Sequence, residues 1–375
     1  MKIGILKEQE DEKRVVMLPE TVAFLVKLKV DVAIEKGAGH TAFASDEAYT
    51  EAGGSIDSRE NIVKNSDILL QISPFTPEAV AKIAPGKITV SLLNPFFNKP
   101  LIKNIADAGI TSFGMEMIPR TTRAQSMDVL SSQATVAGYK AVLDAAGKLP
   151  HFLPMFMTAA GTIKPAKMLI LGAGVAGLQA IATARKLGAV VEVFDVRSAV
   201  KEEVQSLGGK FIEVEGAREE ATAGGYAVEQ TEEFKEKQRQ LIHDHAAKSD
   251  VVICTAQIPG RKAPLLITQK TVESMRAGSI VIDLAASSGG NCELTKNKQI
   301  VEHNQVSIVG QSDYPSDLPS DASKMFGLNV LNFLKLIIDE EGNLNLNFED
   351  DIVQGTCVTH NKEFINERVK EFMTQ

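Results

Sequence analysis

The sequence predicts an α/β fold built from two doubly wound parallel-sheet domains. The chain has 375 residues, more than a single hydrophobic core usually supports. Apolar strand-like runs alternate with helix-like segments in both halves, which is typical of a parallel sheet covered by helices on both faces. Near the middle, one such run breaks into a glycine-rich turn and then a helix pattern, as expected where a second sheet begins.

The first domain is predicted from short branched apolar runs separated by helical or proline-containing segments. Residues 19–28 have the spacing of a helix between the first two strands, and prolines follow the third and fourth. The predicted strands are residues 2–6, 31–35, 68–72, 88–92 and 111–115, and the last of these is expected to be the final strand of the sheet.

A long helix pattern that begins around Ser126 or Met127 is expected to connect the two domains. Apolar positions at helical spacing in residues 326–338 predict a second helix that returns to the first domain. We therefore place the first domain at residues 1–126 plus 320–375 and the second at 127–319. The strands predicted for the second domain are residues 167–171, 189–195, 210–214, 250–255, 279–284 and 306–309.

The glycine-rich turn is a dinucleotide-binding fingerprint, which makes the second domain Rossmann-like. The strand-like residues 167–171 lead into Gly172-Ala173-Gly174-Val175-Ala176-Gly177, and a helix pattern follows. The first glycine of such a turn permits a tight bend, the second lets the backbone approach a pyrophosphate, and the third lets helix and strand pack closely. The helix N-terminus would offer free N–H groups and the positive end of its dipole to the phosphates.

The next strand-like run ends in an acid, Asp195. A carboxylate at this place accepts a hydrogen bond from the adenosine ribose 2′-hydroxyl and repels the 2′-phosphate of NADP. Arg197 leaves NADP open as an alternative, because a nearby arginine can receive that phosphate. NAD(H) is the predicted cofactor.

Residues 216–240 interrupt the strand–helix pattern with small, charged and glycine-rich residues. A solvated surface loop is one interpretation of this composition. A loop of this length inside a compact α/β domain is also typical of a lid. Tyr226, which follows Gly225, could close over a bound ring.

Polar residues concentrate just before the connecting helix, between the two predicted domains. Gln125 or Ser126 could cap that helix, with Asp128 in its first turn, where the helix dipole favours an acid. Capping leaves the nearby arginines unexplained, and clefts between domains are common ligand sites. The candidate residues for holding a carboxamide and a ribose, without supplying an acid or a nucleophile, are Arg120, Gln125, Asp128 and Ser131.

Composition excludes several classes of function. A net charge of −8 argues against a nucleic-acid partner, which requires clustered lysine and arginine. Three distant cysteines are typical of reduced thiols in a cytosolic protein, and the histidines have no ligand spacing, so no metal site is predicted. The longest apolar window, residues 168–184, is shorter than the ~20 residues that a membrane-spanning helix needs.

Taken together, the motifs resemble the NAD(H)-binding component of proton-translocating nicotinamide nucleotide transhydrogenases, over nearly the whole chain. The polar loop combined with the Gly-Tyr-Ala motif is far more specific than the fingerprint alone. The motifs that carry the resemblance are the fingerprint, Arg-Ala-Gln-Ser-Met-Asp at 123–128, Phe-Asp-Val-Arg at 194–197, Gly-Tyr-Ala at 225–227, Ile-Pro-Gly at 258–260, Ile-Asp-Leu-Ala at 282–285 and Gly-Gly-Asn-Cys at 289–292.

The resemblance implies roles for residues of several of these motifs. For the pyrophosphate it implies Gly172, Ala173, Gly174, Val175 and Gly177, and for the adenosine ribose region it implies Asp195, Val196 and Arg197. The nicotinamide carboxamide would be fixed by Arg120, Asp128 and Ser131, while Gln125 would extend toward NADP(H) on a partner subunit. A mobile loop over NAD(H) would contain Gly225 and Tyr226, with Gln238 and Gln257 nearby.

The resemblance also implies a reaction and partners. Hydride passes directly between two nicotinamide rings in this family, which requires positioning and exclusion of water but no protein acid or base. The implied partners are an NADP(H)-binding beta subunit, a membrane-spanning subunit and a second copy of this chain. The apolar stretch 152–157 could contribute to such a homodimer or be buried within one chain. The implied location is cytoplasmic, peripheral to the inner membrane, either as a separate subunit or as a trimmed piece of a longer one.

Two other functions stay open. Alanine dehydrogenase is similar to this family, but such enzymes use a lysine and a histidine in the first domain for proton transfer. Ser73 and Asn94 stand at the matching places here, while Arg14 matches the arginine that binds the substrate carboxylate. Arg14 could equally be a structural ion-pair partner. The other alternative is a module that senses NAD(H) without catalysis, and residues directed at a second nucleotide weigh against it.

Overall fold

The structure, a computed structural model, describes residues 1–9, 11–214, 231–258 and 260–374. They divide into two compact units. Unit 1 contains Met1–Gln133 and Pro315–Gln375, and unit 2 contains Ala134–Tyr314. These divisions lie a few residues from the predicted boundaries at 126/127 and 319/320.

The strands of the described residues, in chain order, are β1 (Lys2–Ile5), β2 (Asp31–Glu35), β3 (Ser55–Asp57), β4 (Ile68–Leu70), β5 (Ile88–Ser91), β6 (Thr111–Gly114), β7 (Phe156–Thr158), β8 (Gly161–Ile163), β9 (Lys167–Leu171), β10 (Val190–Phe194), β11 (Lys210–Ile212), β12 (Val251–Cys254), β13 (Ile280–Asp283), β14 (Gln299–His303), β15 (Val306–Gly310), β16 (Cys357–His360) and β17 (Glu363–Phe364).

The α-helices of the described residues are α1 (Pro19–Lys27), α2 (Asp46–Glu51), α3 (Arg59–Asn65), α4 (Pro77–Val80), α5 (Lys99–Asp107), α6 (Val129–Lys148), α7 (Val175–Lys186), α8 (Lys201–Ser206), α9 (Glu232–Ala246), α10 (Gln269–Ser274), α11 (Pro319–Ile337), α12 (Asp351–Thr356) and α13 (Glu367–Thr374). Short 3₁₀ helices cover His40–Ala42, Met115–Met117, Thr122–Met127, Ser198–Val200, Ala286–Ser288 and Tyr314–Asp317.

Unit 1 contains an eight-stranded sheet in the order β17-β16-β6-β5-β4-β1-β2-β3. The six strands from β6 to β3 are parallel, and β16 and β17 extend the edge in antiparallel register. The expectation that residues 111–115 form the final strand of this sheet is therefore wrong. Phe113 of β6 pairs with Cys357 of β16, a contact so distant in sequence that no local pattern indicates it.

Unit 2 contains a seven-stranded sheet in the order β11-β10-β9-β12-β13-β15-β14, parallel except for β14. Its central strands β12 and β13 are buried at every residue, which is why the sequence shows them as continuous apolar runs. The predicted α/β class with two doubly wound sheets is confirmed. The exposed edge strand β14, the strand β3 and the separate β7–β8 hairpin were not predicted.

Each parallel sheet has one point where the strand order reverses. In unit 2 this point lies between β9 and β12, and in unit 1 it lies between β1 and β4. Connections leave the two central strands on opposite sides of the sheet, so a crevice opens at their carboxyl ends, and ligands of doubly wound sheets bind there. The fingerprint follows β9 directly, at the reversal point of unit 2.

The prediction of a loop over residues 216–240 is wrong for its final residues, because α9 begins at Glu232. Thr231 caps the helix by accepting a hydrogen bond from the Phe234 N–H. Phe234, Ile242 and Ala246 are buried, a stripe too narrow to stand out among the charged residues around it. Residues 215–230, with Gly225 and Tyr226, lie outside the described residues. Among the helices that the structure describes, none has the length and apolar content to cross a membrane.

Candidate nucleotide-binding site

The fingerprint turn has no room for side chains at its first and last glycines. Gly172 has a φ of +103°, and a Cβ there would lie 2.5 Å from Thr255 Oγ1 at the end of β12. A Cβ on Gly177 would lie 2.9 Å from the Gly172 carbonyl carbon and closer still to its oxygen. The first glycine therefore permits the bend and the last permits the helix to pack on the turn, as the sequence predicts.

Gly174 differs from these two glycines because its surroundings are open. Apart from Gly174 and its two chain neighbours, no described residue has an atom within 4 Å of where its Cβ would stand. Gly174 is the N-cap of α7, and no side chain of the described residues caps the helix there. The next residue, Val175, is exposed. Uncapped N–H groups at an open helix N-terminus form a site suited to an anion, with the positive end of the helix dipole behind it.

Asp195 joins the end of β10 to the fingerprint. Its Oδ2 atom accepts a hydrogen bond of 2.7 Å from the Ala173 N–H. The Arg197 guanidinium donates to both carboxylate oxygens, at 2.9 Å from Nε and 2.7 Å from Nη2. The structure thus brings together Ala173, Asp195 and Arg197, with Val196 between the latter two. The Asp195 side chain is only 6% exposed, so its charge is held beside the turn and is balanced by Arg197.

The end of β12 forms the other side of the crevice. Thr255 Oγ1 donates to the carbonyl oxygens of Leu171 and Gly172, each at 3.1 Å, and so ties β12 to the turn. Gln257 is exposed, and its Nε2 donates to the Leu284 carbonyl at 3.0 Å. Gln238 is half-buried on α9. No hydrogen bond or ion pair of the described residues joins Gln238 to the fingerprint.

The polar segment before α6 belongs to unit 1. Asp128 accepts hydrogen bonds from the Ser131 backbone N–H at 2.9 Å and from the Ser131 hydroxyl at 2.6 Å. Asp128 is therefore the cap of α6, which begins at Val129 and not at Ser126 or Met127. The interpretation of Gln125 or Ser126 as the cap is wrong, because residues 122–127 form a separate 3₁₀ turn. The structure thus places two of the four candidate residues, Asp128 and Ser131, in direct contact.

Two contacts hold this 3₁₀ turn in place. Arg123 donates to both carboxylate oxygens of Asp350 at 2.7 Å and also pairs with Asp351. The Ser126 carbonyl accepts from Asn329 Nδ2 of α11 at 2.8 Å. Arg123 thus has a structural role although its side chain is half exposed, and Gln125 and Arg120 are exposed as well.

Arg14 is an internal ion-pair partner. It is 9% exposed, and its Nε and Nη2 atoms donate to the two carboxylate oxygens of Glu12 at 2.8 and 2.6 Å. Its Nη1 donates to Gln133 Oε1 at 2.7 Å. Burial raises the pKa of Glu12, but the hydrogen bonds and charge of Arg14 outweigh burial, so the net effect is a lowered pKa. The guanidinium group of Arg14 is thus already bound by a carboxylate of its own chain.

Ser73 and Asn94, which the resemblance matches to the proton-transfer residues of alanine dehydrogenases, are joined to two half-buried acids that the sequence did not reveal. Glu8 accepts from the Ser73 N–H at 3.1 Å, and Glu116 accepts from the Asn94 N–H at 2.6 Å. Burial raises the pKa of both acids. Neither acid could be found from the sequence, because each is defined by backbone groups from a distant strand end.

Comparisons with known proteins agree with this architecture. The family described as alanine dehydrogenase/PNT matches through its N-terminal domain at residues 4–137 and its C-terminal domain at residues 141–367. An NAD(P) transhydrogenase alpha-subunit protein from Rhodospirillum rubrum is 46% identical over 98% of both chains.

Solved structures give the same result. A transhydrogenase from Sinorhizobium meliloti is 42% identical, with a TM-score of 0.89 over 97% of this chain and 100% of that one. An L-alanine dehydrogenase shares the fold, with a TM-score of 0.83 over 100% of this chain and 99% of that one, at 22% identity. The resemblance recognised from the motifs is confirmed: the chain belongs to the alanine dehydrogenase/PNT family and is a relative of the NAD(P) transhydrogenase alpha subunits within it.

Proposed function

We propose that this protein is the NAD(H)-binding component of a proton-translocating NAD(P) transhydrogenase. Hydride passes directly between NADH bound here and NADP⁺ bound on a partner subunit, and a membrane-spanning subunit couples this transfer to proton translocation. The observation that carries the proposal is the open, uncapped N-terminus of α7 at Gly174, next to the Asp195 carboxylate.

The residues at this turn fit a dinucleotide. A pyrophosphate needs close backbone approach and free N–H donors, and Gly174 and Val175 supply both. A ribose 2′-hydroxyl needs an acceptor one strand away, and Asp195 supplies it at the end of β10. Because Arg197 neutralises Asp195, the pair holds the ribose without leaving an isolated charge under the cofactor.

The nicotinamide supplies the hydride when the cofactor is bound, so the protein's contribution is positioning. Asp128 and Ser131 already fix each other by two hydrogen bonds, which makes them a preorganised pair for the carboxamide, together with Arg120. Gln125 is exposed on the same turn and is proposed to contact the second nucleotide. Gly225, Tyr226, Gln238 and Gln257 remain proposed contacts of NAD(H).

An alanine dehydrogenase activity is less compatible with the site. Such an enzyme needs a proton-transfer residue and a free arginine for the substrate carboxylate. Here Ser73 and Asn94 stand at the proton-transfer places, and Arg14 is paired with Glu12 and Gln133. This supports transfer between two nucleotides, which needs neither group.

The direct test is hydride transfer between nucleotides. The protein is mixed with the NADP(H)-binding component of a transhydrogenase, NADPH and an NAD analogue whose reduced form absorbs at a distinct wavelength. We expect rapid reduction that requires both proteins, and we expect Gln125→Asn to slow it while leaving NADH binding within about twofold. NADH binding without transfer, beside a competent control pair, would indicate a sensor and refute the proposal.

A second copy of this chain is the proposed partner of the β7–β8 hairpin. This two-stranded sheet pairs with no other strand of the described residues, and all of its strand residues are exposed. Isolated hairpins are marginally stable in water, and contiguous exposed apolar residues mark interfaces. The exposed apolar residues of the hairpin and of the segment just before it are Phe152, Met155, Phe156, Met157 and Ile163. The alternative that the stretch 152–157 is buried within one chain is therefore wrong for its aromatic and methionine side chains, which are exposed.

Sedimentation tests this interface. Met157, which is 75% exposed, is replaced by aspartate, and a homodimer should then dissociate at concentrations at which the wild type remains dimeric. Phe43→Asp is the matched control, because Phe43 is 85% exposed in unit 1 and should not affect association. A Met157→Asp protein that stays dimeric would place the interface elsewhere.

A further inference from the structure

We infer that Asn291 is a positioning residue for the nicotinamide half of the cofactor site, acting through the chain that leaves β12. The inference rests on the proposed function, since it assigns a role in holding NAD(H). Asn291 is not among the residues that the fingerprint or the polar segment indicates. It belongs to the Gly-Gly-Asn-Cys motif that follows β13.

Asn291 is fully buried, and its side-chain amide joins two separate points of the chain after β12. Oδ1 accepts from the Ala256 N–H at 3.1 Å, and Nδ2 donates to the Ala256 carbonyl at 2.9 Å. The same Nδ2 atom donates to the Pro264 carbonyl at 2.8 Å. One side chain therefore fixes the segment after β12 at two points, Ala256 just after the strand and Pro264 further along.

The backbone of Asn291 is held just as firmly. Its N–H donates to Asp283 Oδ2 at 2.8 Å, and its carbonyl accepts from Leu266 and Ile267. Asp283, at the end of β13, is also fully buried and accepts further bonds from the Cys292 N–H at 3.0 Å and the Thr295 hydroxyl at 2.6 Å. Gly290 permits this approach, because a Cβ there would lie 2.9 Å from Asp283 Oδ2.

Strand order assigns this network to the nicotinamide half. Doubly wound sheets bind a dinucleotide across the reversal point, one mononucleotide on each side. Asp195, at the end of β10, lies on the adenosine side of β9, whereas Ala256 and Asn291 follow β12 and β13 on the opposite side. Ala256 also borders the fingerprint, because a Cβ on Gly172 would lie 3.4 Å from the Ala256 nitrogen.

The position requires asparagine in particular. The Ala256 peptide presents a donor and an acceptor together, and the Pro264 carbonyl presents a second acceptor. Only a carboxamide offers one acceptor and two donors on a side chain of this length. Fixing Ala256 also fixes the next residue, Gln257, whose own amide bonds to the Leu284 carbonyl. Loss of the clamp would release Gln257 while leaving the fingerprint and Asp195 intact.

The test compares NADH with AMP, which contains only the adenosine half. Dissociation constants for NADH, by its fluorescence, and for AMP, by calorimetry, are measured on the full chain with melting temperatures. The variants are Asn291→Ala and the milder Asn291→Ser, which retains a hydroxyl and protects the test against misfolding. Val281→Ala, in fully buried β13, is the control for general destabilisation, and Asp195→Ala is the control for the adenosine half.

We expect Asn291→Ala to weaken NADH at least tenfold and AMP less than twofold, with Asn291→Ser intermediate. Asp195→Ala should weaken both ligands, and Val281→Ala neither. Equal loss of NADH and AMP in the Asn291 variants, or NADH affinity unchanged, would overturn the inference. A wild-type protein that binds no NADH would instead overturn the proposed function on which the inference rests.

Discussion

A methyl group at Gly138 should disrupt the phosphate end of the cofactor site. Gly138 lies inside α6, where glycine lowers helix stability by about 1 kcal/mol relative to alanine, so its presence needs a reason. The reason is its neighbour, the first turn of α7. A Cβ on Gly138 would lie 2.8 Å from the Ala176 carbonyl carbon and closer still to its oxygen.

The size of the effect follows from this distance. Ordinary Cβ contacts begin at 3.4 Å, and the neighbour is backbone, which cannot rotate away as a flexible side chain can. Gly138→Ala must therefore move the α7 turn by more than half an ångström, at the N–H groups proposed to bind the pyrophosphate. Overpacking costs roughly 1–3 kcal/mol and the gain in helix propensity offsets about 1 kcal/mol. A displacement of ~1 Å at a binding site can cost about 100-fold in function.

We expect Gly138→Ala to weaken NADH binding by about tenfold or more, and to lower the melting temperature by no more than about 8 °C. Gly147→Ala is the matched control on the same helix, because a Cβ there meets nothing within 4 Å. It should raise stability by up to about 1 kcal/mol and leave NADH binding unchanged. If Gly138→Ala binds NADH as the wild type does, the packing of α6 on α7 does not set the geometry of the phosphate site.

Two further predictions concern stability. Burial raises the pKa of Glu116 above its usual 4.5, so its contribution to stability is full below about pH 4.5 and is lost as the pH rises through the folded-state pKa. Glu116→Gln should therefore gain in melting temperature relative to the wild type as the pH rises above about 4.5, and a constant difference would contradict this assignment. Gln305 ends the two-residue β14–β15 turn with a φ of +59°, so Gln305→Gly should raise the free energy of unfolding by about 0.5–1 kcal/mol in urea titrations. No gain would mean that the turn carries no strain there.

The sequence predicts those portions of the fold whose signal is local. Strands buried on both faces, such as β12 and β13, require apolar residues throughout and are therefore visible as runs. The fingerprint is visible because its bends and close contacts tolerate only glycine. Exposed strands are not predicted from the sequence, because they have no buried face that requires alternating apolar residues. Strand β14 (Gln299–His303) is an example. Strand pairings such as that of β6 with β16 are not predicted either, because the two strands are far apart in the chain.

In the candidate site, too, some residues could be predicted from local sequence patterns and others could not. Asp195 and the glycines follow from spacing, whereas the pairing of Asp128 with Ser131 was not predicted, because the sequence pattern placed the cap of α6 at Gln125 or Ser126. Asn291 could not be assigned a role in advance, because its partners Ala256 and Pro264 belong to a different strand end. Apart from its place in the Gly-Gly-Asn-Cys motif, its sequence signal is the preceding pair of glycines, both with positive φ, which mark a backbone that approaches something closely.

The two sheets, although alike in topology, present different edges to a ligand. In unit 1 the carboxyl ends of neighbouring strands are bound to the chain's own acids: Glu35 accepts from the Lys7 N–H, Glu8 from the Ile72 and Ser73 N–H groups, and Glu116 from Leu93 and Asn94.

In unit 2, by contrast, Asp195 takes the Ala173 N–H and leaves Gly174 open at an uncapped helix. Among the described residues, no side chain caps the N–H groups at the start of α7, whereas acids accept from the backbone N–H groups at the strand ends of unit 1. We therefore propose that the nucleotide binds at the sheet of unit 2, whereas the segment that carries Arg120, Gln125, Asp128 and Ser131 belongs to unit 1.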